Sequence, residues 1–330
     1  MSVAEAAYLL IGSALIAYVL TAGADFGAGF WHLVARGPRG EAQREALEHE
    51  LAPIWEANHV WIIFIVVALF TLFPSAFSVM SIALHLPLTV ALIGIVLRGT
   101  AFTFRAYGMQ PEPRRSALGR VFAVASVVTP LFLGMSLAAL STGAIRVVGD
   151  HVTTGFLAGW TGLFAISVGL LAVALFALLA AVYMTVAAAE PVRSDFRRLA
   201  IGAELAAAVF ALAAFVRASS DAPALYARMI GSAWTWPVQL SAFGFAVATL
   251  AALWFRKFSV ARFTVAAQVA MVVIGWGAAM GGHFVLPDVS IQSAASPPQV
   301  FAAFFPAVAI GALLLGPSLF FLFRVFRATR

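Results

Sequence analysis

Nine apolar segments recur along this chain, and each is long enough to cross a lipid bilayer. They lie at about 6–30, 54–74, 79–104, 119–141, 159–187, 198–216, 237–255, 263–281 and 302–323. A helix needs about 20 largely apolar residues to span the hydrocarbon core, and the segments lack the period-two alternation of membrane β-strands. We therefore predict an all-α, polytopic membrane bundle of about nine transmembrane helices.

The composition agrees with this assignment and excludes several kinds of site. The chain is 63% hydrophobic and only 10% charged, whereas soluble domains carry about 25% charged residues. No large polar insertion interrupts the apolar segments, so residues 1–330 are predicted to form a single integral membrane domain. The absence of cysteine excludes disulfides, thiolate metal sites and iron–sulfur clusters within the chain.

The basic residues predict how the chain is threaded. Sixteen of the 20 Lys and Arg residues fall in alternate connections and the C-terminal tail, and three fall on the opposite side. Because basic residues concentrate on the cytoplasmic side, the N-terminus is expected outside and the C-terminus in the cytoplasm. The excess of positive charge then reflects orientation and not nucleic-acid binding. Residues 40–52 are predicted to form a short cytoplasmic surface helix.

Three charged residues are predicted to reach the same depth in the membrane. Asp25, Glu56 and Arg98 all fall in the cytoplasmic third of consecutive spans. Ionisable groups are costly in lipid and are usually turned toward protein or water. We expect these side chains to converge against neighbouring protein, with Asp25 and Glu56 as candidate counter-ions for Arg98. A purely structural Asp25–Arg98 ion pair that fixes helix register remains an equal alternative.

The start of the second span carries a candidate proton relay. Glu56 and His59 are three residues apart and therefore share one helix face. Both groups can titrate near neutral pH when buried with partners. The alternatives are a hydrated Glu56 at the interface and a histidine that only packs.

Other polar residues and two glycines carry weaker signals. His85 is expected to pack or to form hydrogen bonds, since no second metal ligand stands at a suitable spacing. Glu204 is expected at the cytoplasmic interface. Gly23 and Gly27 form a small-xxx-small pattern around Asp25, which would let another helix approach the carboxylate.

Three motifs within about residues 5–107 resemble one known family. The segments "TAGADFGAGFWHL", "LAPIWEANHVWIIFIVVALFTLFPSAFS" and "ALIGIVLRGTAFTFR" are similar, in order and spacing, to subunit II of the cytochrome bd-type quinol oxidases. The form "WEANHVW" resembles the cyanide-insensitive branch most closely. The remaining residues, about 119–325, agree with this family in hydropathy and in the number of helices.

The resemblance implies an accessory subunit of a bacterial inner-membrane enzyme. The complex would couple quinol oxidation to the reduction of O₂ to water, with haems b and d in a partner, subunit I. No catalytic residue, metal site or cofactor site of its own is expected in this chain. A bound structural quinone or lipid, and a further small subunit, stay open.

The resemblance also assigns roles to individual residues. Glu56 matches an acidic position linked to proton delivery toward the haems, and Asp25 matches the acid of the first-helix motif. Asn58 belongs to the same motif as Glu56, while His59 stands where other branches of the family carry a different residue. Together with the helix-face argument for His59, the predicted proton pathway is Glu56, His59, Asp25 and Asn58. Trp61 matches a position associated with O₂ access, and Arg98 matches the basic residue that closes the third motif.

Two other functions are compatible with intramembrane charges. A secondary transporter or ion channel could use Asp25, Glu56 and Arg98 as a substrate or ion site. Against it, the sequence shows no internal repeat, and the charges lie away from the bilayer midplane, where transporter sites usually lie. A purely structural subunit that conducts no proton is the third alternative.

Overall fold

The fold is a bundle of long helices, seen here in a computed structural model. It describes the backbone of residues 1–51, 55–107, 112–149 and 151–328, with side chains except at 50–57, 105–115, 319–320 and 322–328. The helices are α1 (Val3–Val34), α2 (Gly40–Leu51), α3 (Trp55–Leu72), α4 (Pro74–Ala83), α5 (His85–Tyr107), α6 (Glu112–Ala139), α7 (Leu163–Ala187), α8 (Val192–Asp221), α9 (Pro223–Gly231), α10 (Thr235–Trp254), α11 (Phe258–Met280), α12 (Ile291–Ala294) and α13 (Pro298–Ala328). The strands are β1 (Val147–Val148), β2 (His151–Val152), β3 (His283–Val285) and β4 (Val289–Ser290).

The predicted membrane bundle is confirmed. Eight of the described helices are long and apolar enough to span a bilayer, and the bent pair of α3 and α4 raises the number to nine. The surface helix expected at 40–52 is α2. The two short hairpins, β1–β2 and β3–β4, were not predicted, because their residues show no regular alternation of apolar and polar side chains.

The chain bends sharply where the second predicted span ends. The axes of α3 and α4 differ by 119°, and the break falls at Phe73, whose φ of −137° and ψ of 60° are not helical. Pro74 explains the break, because proline disfavours a helical conformation in the residue before it and cannot donate to the preceding turn. The third span therefore starts at His85, and its predicted start at residue 79 is wrong.

The helices form two groups with the same order of neighbours. In the first group α1 packs against α3 and α6, and α5 pairs with α6; in the second, α7 packs against α8 and α11, and α10 pairs with α11. Each group includes a short helix that starts at a proline, α4 or α9. The sequence shows no repeat because the two groups share the order and packing of their helices without sharing residues.

The two groups meet along α1 and α7. Of the most apolar part of α7, 61% of the residues are buried, the highest share among the described spans. Buried apolar side chains of the described residues form two clusters. One, here called the inner core, surrounds α7 and the second half of α1. The other, the outer core, joins the ends of α3, α6 and α8 to the segment 279–301. Buried positions are rich in alanine, which lets the helices approach closely.

Arginines bind the last carbonyl groups of two helices, α7 and α10. Arg193 donates to the Ala188 carbonyl oxygen after α7, and Arg197 donates to the carbonyl oxygens of Leu253 and Trp254 at the end of α10. These carbonyl groups lack partners within their own helices, and the helix dipole favours a cation there. The same arginines that orient the chain thus also hold helix ends.

An ion pair joins the two hairpins at the outer end. Arg146 donates from Nε and Nη2 to Asp288, at 2.8 and 3.1 Å, and the Val147 amide donates to the same carboxylate at 2.9 Å. Burial alone would raise the pKa of Asp288, but the hydrogen bonds from Arg146 and Val147 hold it below its usual value of 3.8. The charged carboxylate is therefore the form that ties the hairpins together.

We expect Asp288→Asn to destabilise the outer end by about 1 kcal/mol, because the substitution removes a charge-assisted contact that is partly exposed to solvent. Because the folded pKa of Asp288 is lowered, its contribution is present above the usual pKa and disappears as the pH falls through the folded value. The melting temperature of wild type should exceed that of the variant by a constant amount from pH 6 down to about pH 4. Below about pH 4 the difference should shrink toward zero. A gap that stayed constant to pH 3 would contradict this assignment.

Candidate functional site

Gly23 and Gly27 lie on the face of α1 that meets α7. An ideal Cβ built at Gly27 would lie 1.9 Å from the Phe176 carbonyl oxygen, and one at Gly23 would lie 2.8 Å from the Phe176 ring. Only glycine permits this approach of the two backbones. The prediction that Gly23 and Gly27 admit a neighbouring helix is therefore confirmed, and that helix is α7. Asp25 lies on the opposite side of α1, where its carboxylate meets Arg98 of α5, so the predicted approach of this helix to the carboxylate is wrong.

Arg98 of α5 reaches Asp25 across the first helix group. Its Nη2 donates to Asp25 Oδ1 at 2.5 Å and to the Asp25 carbonyl oxygen at 3.2 Å. Arg98 is 2% exposed and Asp25 is 6% exposed. The pair thus lies inside this chain, between α1, α5 and α6, and away from lipid.

The rest of the guanidinium is also occupied. Ser126 of α6 accepts a hydrogen bond from Arg98 Nε at 2.9 Å and donates its own proton to the Phe122 carbonyl oxygen. The rings of Phe26 and Phe122 lie 4.9 and 4.8 Å from Arg98 Cζ, within cation–π range. Arg98 is thus fixed by charge, hydrogen bonds and aromatic contacts together.

One oxygen of this buried carboxylate has no partner in the described part of the chain. Asp25 Oδ2 is enclosed and accepts no hydrogen bond there, and the same is true of the hydroxyl of Tyr18. Tyr18 lies seven residues before Asp25, two turns away on the same face, and within electrostatic reach of both Asp25 and Arg98. Buried polar atoms are nearly always paired, so these two atoms call for a partner that the described residues do not supply.

The residues predicted on α3 lie beside α1 but are only partly described. The side chain of Glu56 falls outside the described residues, so its contact with Arg98 stays a prediction. Asn58 is buried, and His59 and Trp61 are half-buried. Trp61 packs against the inner core, and α3 contacts α1 directly.

A second buried polar pair joins the other helix group. Gln268 of α11 donates from Nε2 to Glu204 Oε1 at 2.6 Å, and both residues are at most 5% exposed. Because α8 starts at Val192, six residues before the predicted 198, Glu204 lies about 18 Å along its helix. Its place at the cytoplasmic interface stays a prediction.

The histidines and acids give no metal-type cluster among the described residues, where no three His, Asp or Glu side chains come together. His85 packs edge-on against Phe156, with ring centroids 4.8 Å apart, and its Nδ1 lies 3.0 Å from the Ile82 carbonyl oxygen. This confirms the packing interpretation of His85.

Sequence reasoning missed Tyr18, Ser126 and Gln268. Tyr18 carried a usable signal, since its seven-residue spacing from Asp25 places both on one helix face. Ser126 and Gln268 carried none, because single polar residues in apolar helices are common and their partners lie far away along the sequence.

Comparison with known proteins decides which family this arrangement represents. The profile of the family described as cytochrome bd terminal oxidase subunit II matches residues 3–326. This chain belongs to that family. The resemblance drawn from the three motifs of the first 107 residues therefore extends over nearly the whole chain.

Relatives of subunit II support the same assignment. A candidate cytochrome bd menaquinol oxidase subunit II of Bacillus subtilis is 25% identical over 322 residues, covering 94% of this chain and 91% of the relative. Subunit 2 of the cytochrome bd-I ubiquinol oxidase of Escherichia coli K12 is 26% identical over 145 residues, covering 44% and 38%. The bd oxidase structure from Geobacillus thermodenitrificans has a chain of the same fold, with a TM-score of 0.83, 23% identity and full coverage of both chains.

Membership settles the broad function. Subunit II is a multi-pass protein of the bacterial inner membrane and part of a quinol oxidase that includes a partner, subunit I. Nothing in the relatives supports the transporter or channel alternative.

Proposed function

We propose that this chain supplies cytoplasmic protons, and a path for O₂, to a partner subunit that carries haems b and d. Quinol would be oxidised and O₂ reduced on that partner, and this chain would hold no catalytic residue of its own. The observation that carries the proposal is the half-satisfied carboxylate of Asp25, buried in the cytoplasmic third of α1 with Oδ2 unpaired among the described residues. O₂ reduction takes up protons, and a buried carboxylate oxygen is a group that can accept and release one.

The order of groups favours entry from the cytoplasm. Glu56 and Asn58 stand in the first turn of α3, which packs against α1 and starts at the cytoplasmic end. A proton would enter at Glu56, pass along the face shared with His59, and reach Asp25 Oδ2. Arg98 holds the other oxygen of Asp25 in place, which fixes the direction in which the free oxygen points.

Trp61 is the residue that we place on the O₂ path. It lies two turns into α3 among apolar side chains, where Ile62 packs against the inner core and Ile63 is 61% exposed. O₂ is a small apolar molecule and dissolves in such surroundings more readily than a proton carrier does.

We place subunit I against α3 and α13. Only 6% of the most apolar part of α13 is buried by this chain. Its first turns contact α3 through Phe301 and Phe304, which lie 5.9 and 6.3 Å from the rings of Phe73 and Phe64. The rest of α13 exposes large apolar side chains, including Leu313 at 74%. A long helix so little held by its own chain is best explained by a partner that packs on it, which would bring haem close to α3.

We expect Glu56→Gln to slow O₂ reduction by the purified complex at least tenfold, since single proton-transfer groups contribute about 10²- to 10⁴-fold. Glutamine keeps the size and hydrogen bonding of the side chain but cannot carry the proton. Haem content and the ratio of the two subunits should stay at wild-type values.

Glu45→Gln on the exposed face of α2 is the matched control, and we expect wild-type turnover from it. Full turnover in Glu56→Gln would leave only the structural role. Loss of haem together with activity would also argue for a structural role and against proton delivery.

A further inference from the structure

A cavity opens on the cytoplasmic side, away from the Asp25–Arg98 site. It lies between the end of α1, the connection to α2 and the first turns of α8, and its volume is about 310 Å³. That volume is at the lower end of the range for small-molecule sites, about 300–1,000 Å³. The family assignment and the proposed proton path give this cavity no role.

The polar wall of the cavity carries an excess of positive charge. Three arginines line it, Arg36, Arg39 and Arg198, together with a single carboxylate, Asp195. Arg39 is committed to Asp195, with two hydrogen bonds of 2.6 Å between the guanidinium and the carboxylate, and Gln43 donates to the same carboxylate at 3.1 Å. The one negative group in the wall is therefore already neutralised.

Two guanidinium groups are left to bind an anion. Arg36 and Arg198 are both exposed, and neither forms a hydrogen bond or close ion pair with any side chain in the described ranges. Arg198 also lies within electrostatic reach of Asp195, whose carboxylate is already bound by Arg39. They come from different segments of the chain, and the cavity brings them to one wall. Arginine binds phosphate oxygens with paired, directed N–H groups.

The other wall of the cavity is apolar and continues into the lipid-facing surface. Val34 at the end of α1 is 41% exposed, and Leu199 of α8 lies half-buried beside it. Leu33, next to Val34, is 38% exposed. The cavity thus joins a cationic wall at the cytoplasmic surface to an apolar wall at membrane depth, the two-part surface that fits an amphiphile.

We propose that this cavity binds the phosphate group of an anionic phospholipid of the cytoplasmic leaflet. Arg36 and Arg198 contact the phosphate oxygens, and an acyl chain lies along Val34 and Leu199. The cytoplasmic leaflet is the anionic one, and basic pockets between helices on that side suit such headgroups. Arg39 and Asp195 shape the wall and do not contact the lipid phosphate.

The test measures lipid retained by the intact oxidase complex. The complex is purified, placed in phosphatidylcholine nanodiscs with a minor fraction of phosphatidylglycerol, and analysed by native mass spectrometry. The variant Arg36→Gln/Arg198→Gln should retain at least about tenfold less phosphatidylglycerol than wild type, through loss of two charge-assisted contacts. The control Arg256→Gln/Lys257→Gln removes the same charge from the exposed α10–α11 turn on the same side and should retain wild-type amounts.

Four results would overturn the proposal. An equal loss in both variants would indicate general attraction to the leaflet, and equal retention of phosphatidylcholine and phosphatidylglycerol by wild type would indicate no anion site. Binding of inorganic phosphate by a wild-type complex that retains no phosphatidylglycerol would assign the cavity to a free anion. If the double variant loses haem, Arg36→Gln and Arg198→Gln are measured singly, and unchanged retention in both would equally overturn the proposal.

Discussion

Arg98→Met is expected to destabilise the folded chain by about 3–5 kcal/mol, the cost of removing one partner from a buried ion pair. The loss is large because Arg98 is 2% exposed and holds Asp25, Ser126 and two aromatic rings at once. Methionine fills much of the volume but leaves the carboxylate of Asp25 in an apolar site. The measurement is the yield and the thermal unfolding temperature of the purified complex.

A double variant separates the charge effect from lost packing. Asp25→Asn combined with Arg98→Met removes both charges, so we expect it to regain at least half of the stability lost by Arg98→Met alone. We expect this because most of the stability lost in Arg98→Met comes from leaving the Asp25 carboxylate buried without a counter-ion, and little of it from the loss of the ion pair itself. A double variant as unstable as the single one would show that Arg98 acts through packing instead.

Gly27→Ala is the second substitution with a large expected effect. The added Cβ would lie 1.9 Å from the Phe176 carbonyl oxygen and 2.8 Å from Ala180 Cβ, so α1 and α7 must move apart. Overpacking of this kind costs about 1–3 kcal/mol and occasionally more, and backbone atoms cannot rotate away as a side chain could. We expect a lower unfolding temperature and, because Asp25 is two residues away, a displaced Asp25–Arg98 pair.

Gly12→Ala provides the matched control on the same helix. No atom lies within 4 Å of a Cβ at Gly12, so the substitution adds only helix propensity, about 0.5–1 kcal/mol in favour of alanine. We expect unfolding at or slightly above the wild-type temperature. Equal destabilisation by both substitutions would contradict the close approach of α1 and α7 as the cause.

The large features of the fold follow directly from the sequence. The length of each apolar segment determines a span, because every residue of a spanning helix must suit an apolar environment. The distribution of arginines predicts the direction of each span, because basic residues in the connections favour the cytoplasmic side. The helix end at Phe73 is different, since it depends on a single proline inside an apolar run. The hairpins β1–β2 and β3–β4 depend on contacts between distant connections, such as Arg146 with Asp288, that no local pattern reveals.

The site was predictable to the extent that topology determines depth. Asp25 and Arg98 were placed at one level by their positions in consecutive spans, and they meet in the structure. The start of α8 was predicted six residues late, because Arg193, Asp195 and Arg197 interrupt the apolar pattern that places a span. Ser126 could not be ranked above other polar residues, since its part in the site arises from packing between helices.

The measurement that tests the central claim most directly is proton uptake by the complex in proteoliposomes after O₂ is added, with Asp25→Asn compared with Ser126→Ala. Ser126→Ala removes a neutral contact of Arg98, whereas Asp25→Asn removes its counter-ion together with a group that can carry a proton. With rates normalised to haem content, we expect uptake to be at least tenfold slower in Asp25→Asn and close to wild type in Ser126→Ala. Wild-type uptake in Asp25→Asn would contradict a proton route through this carboxylate.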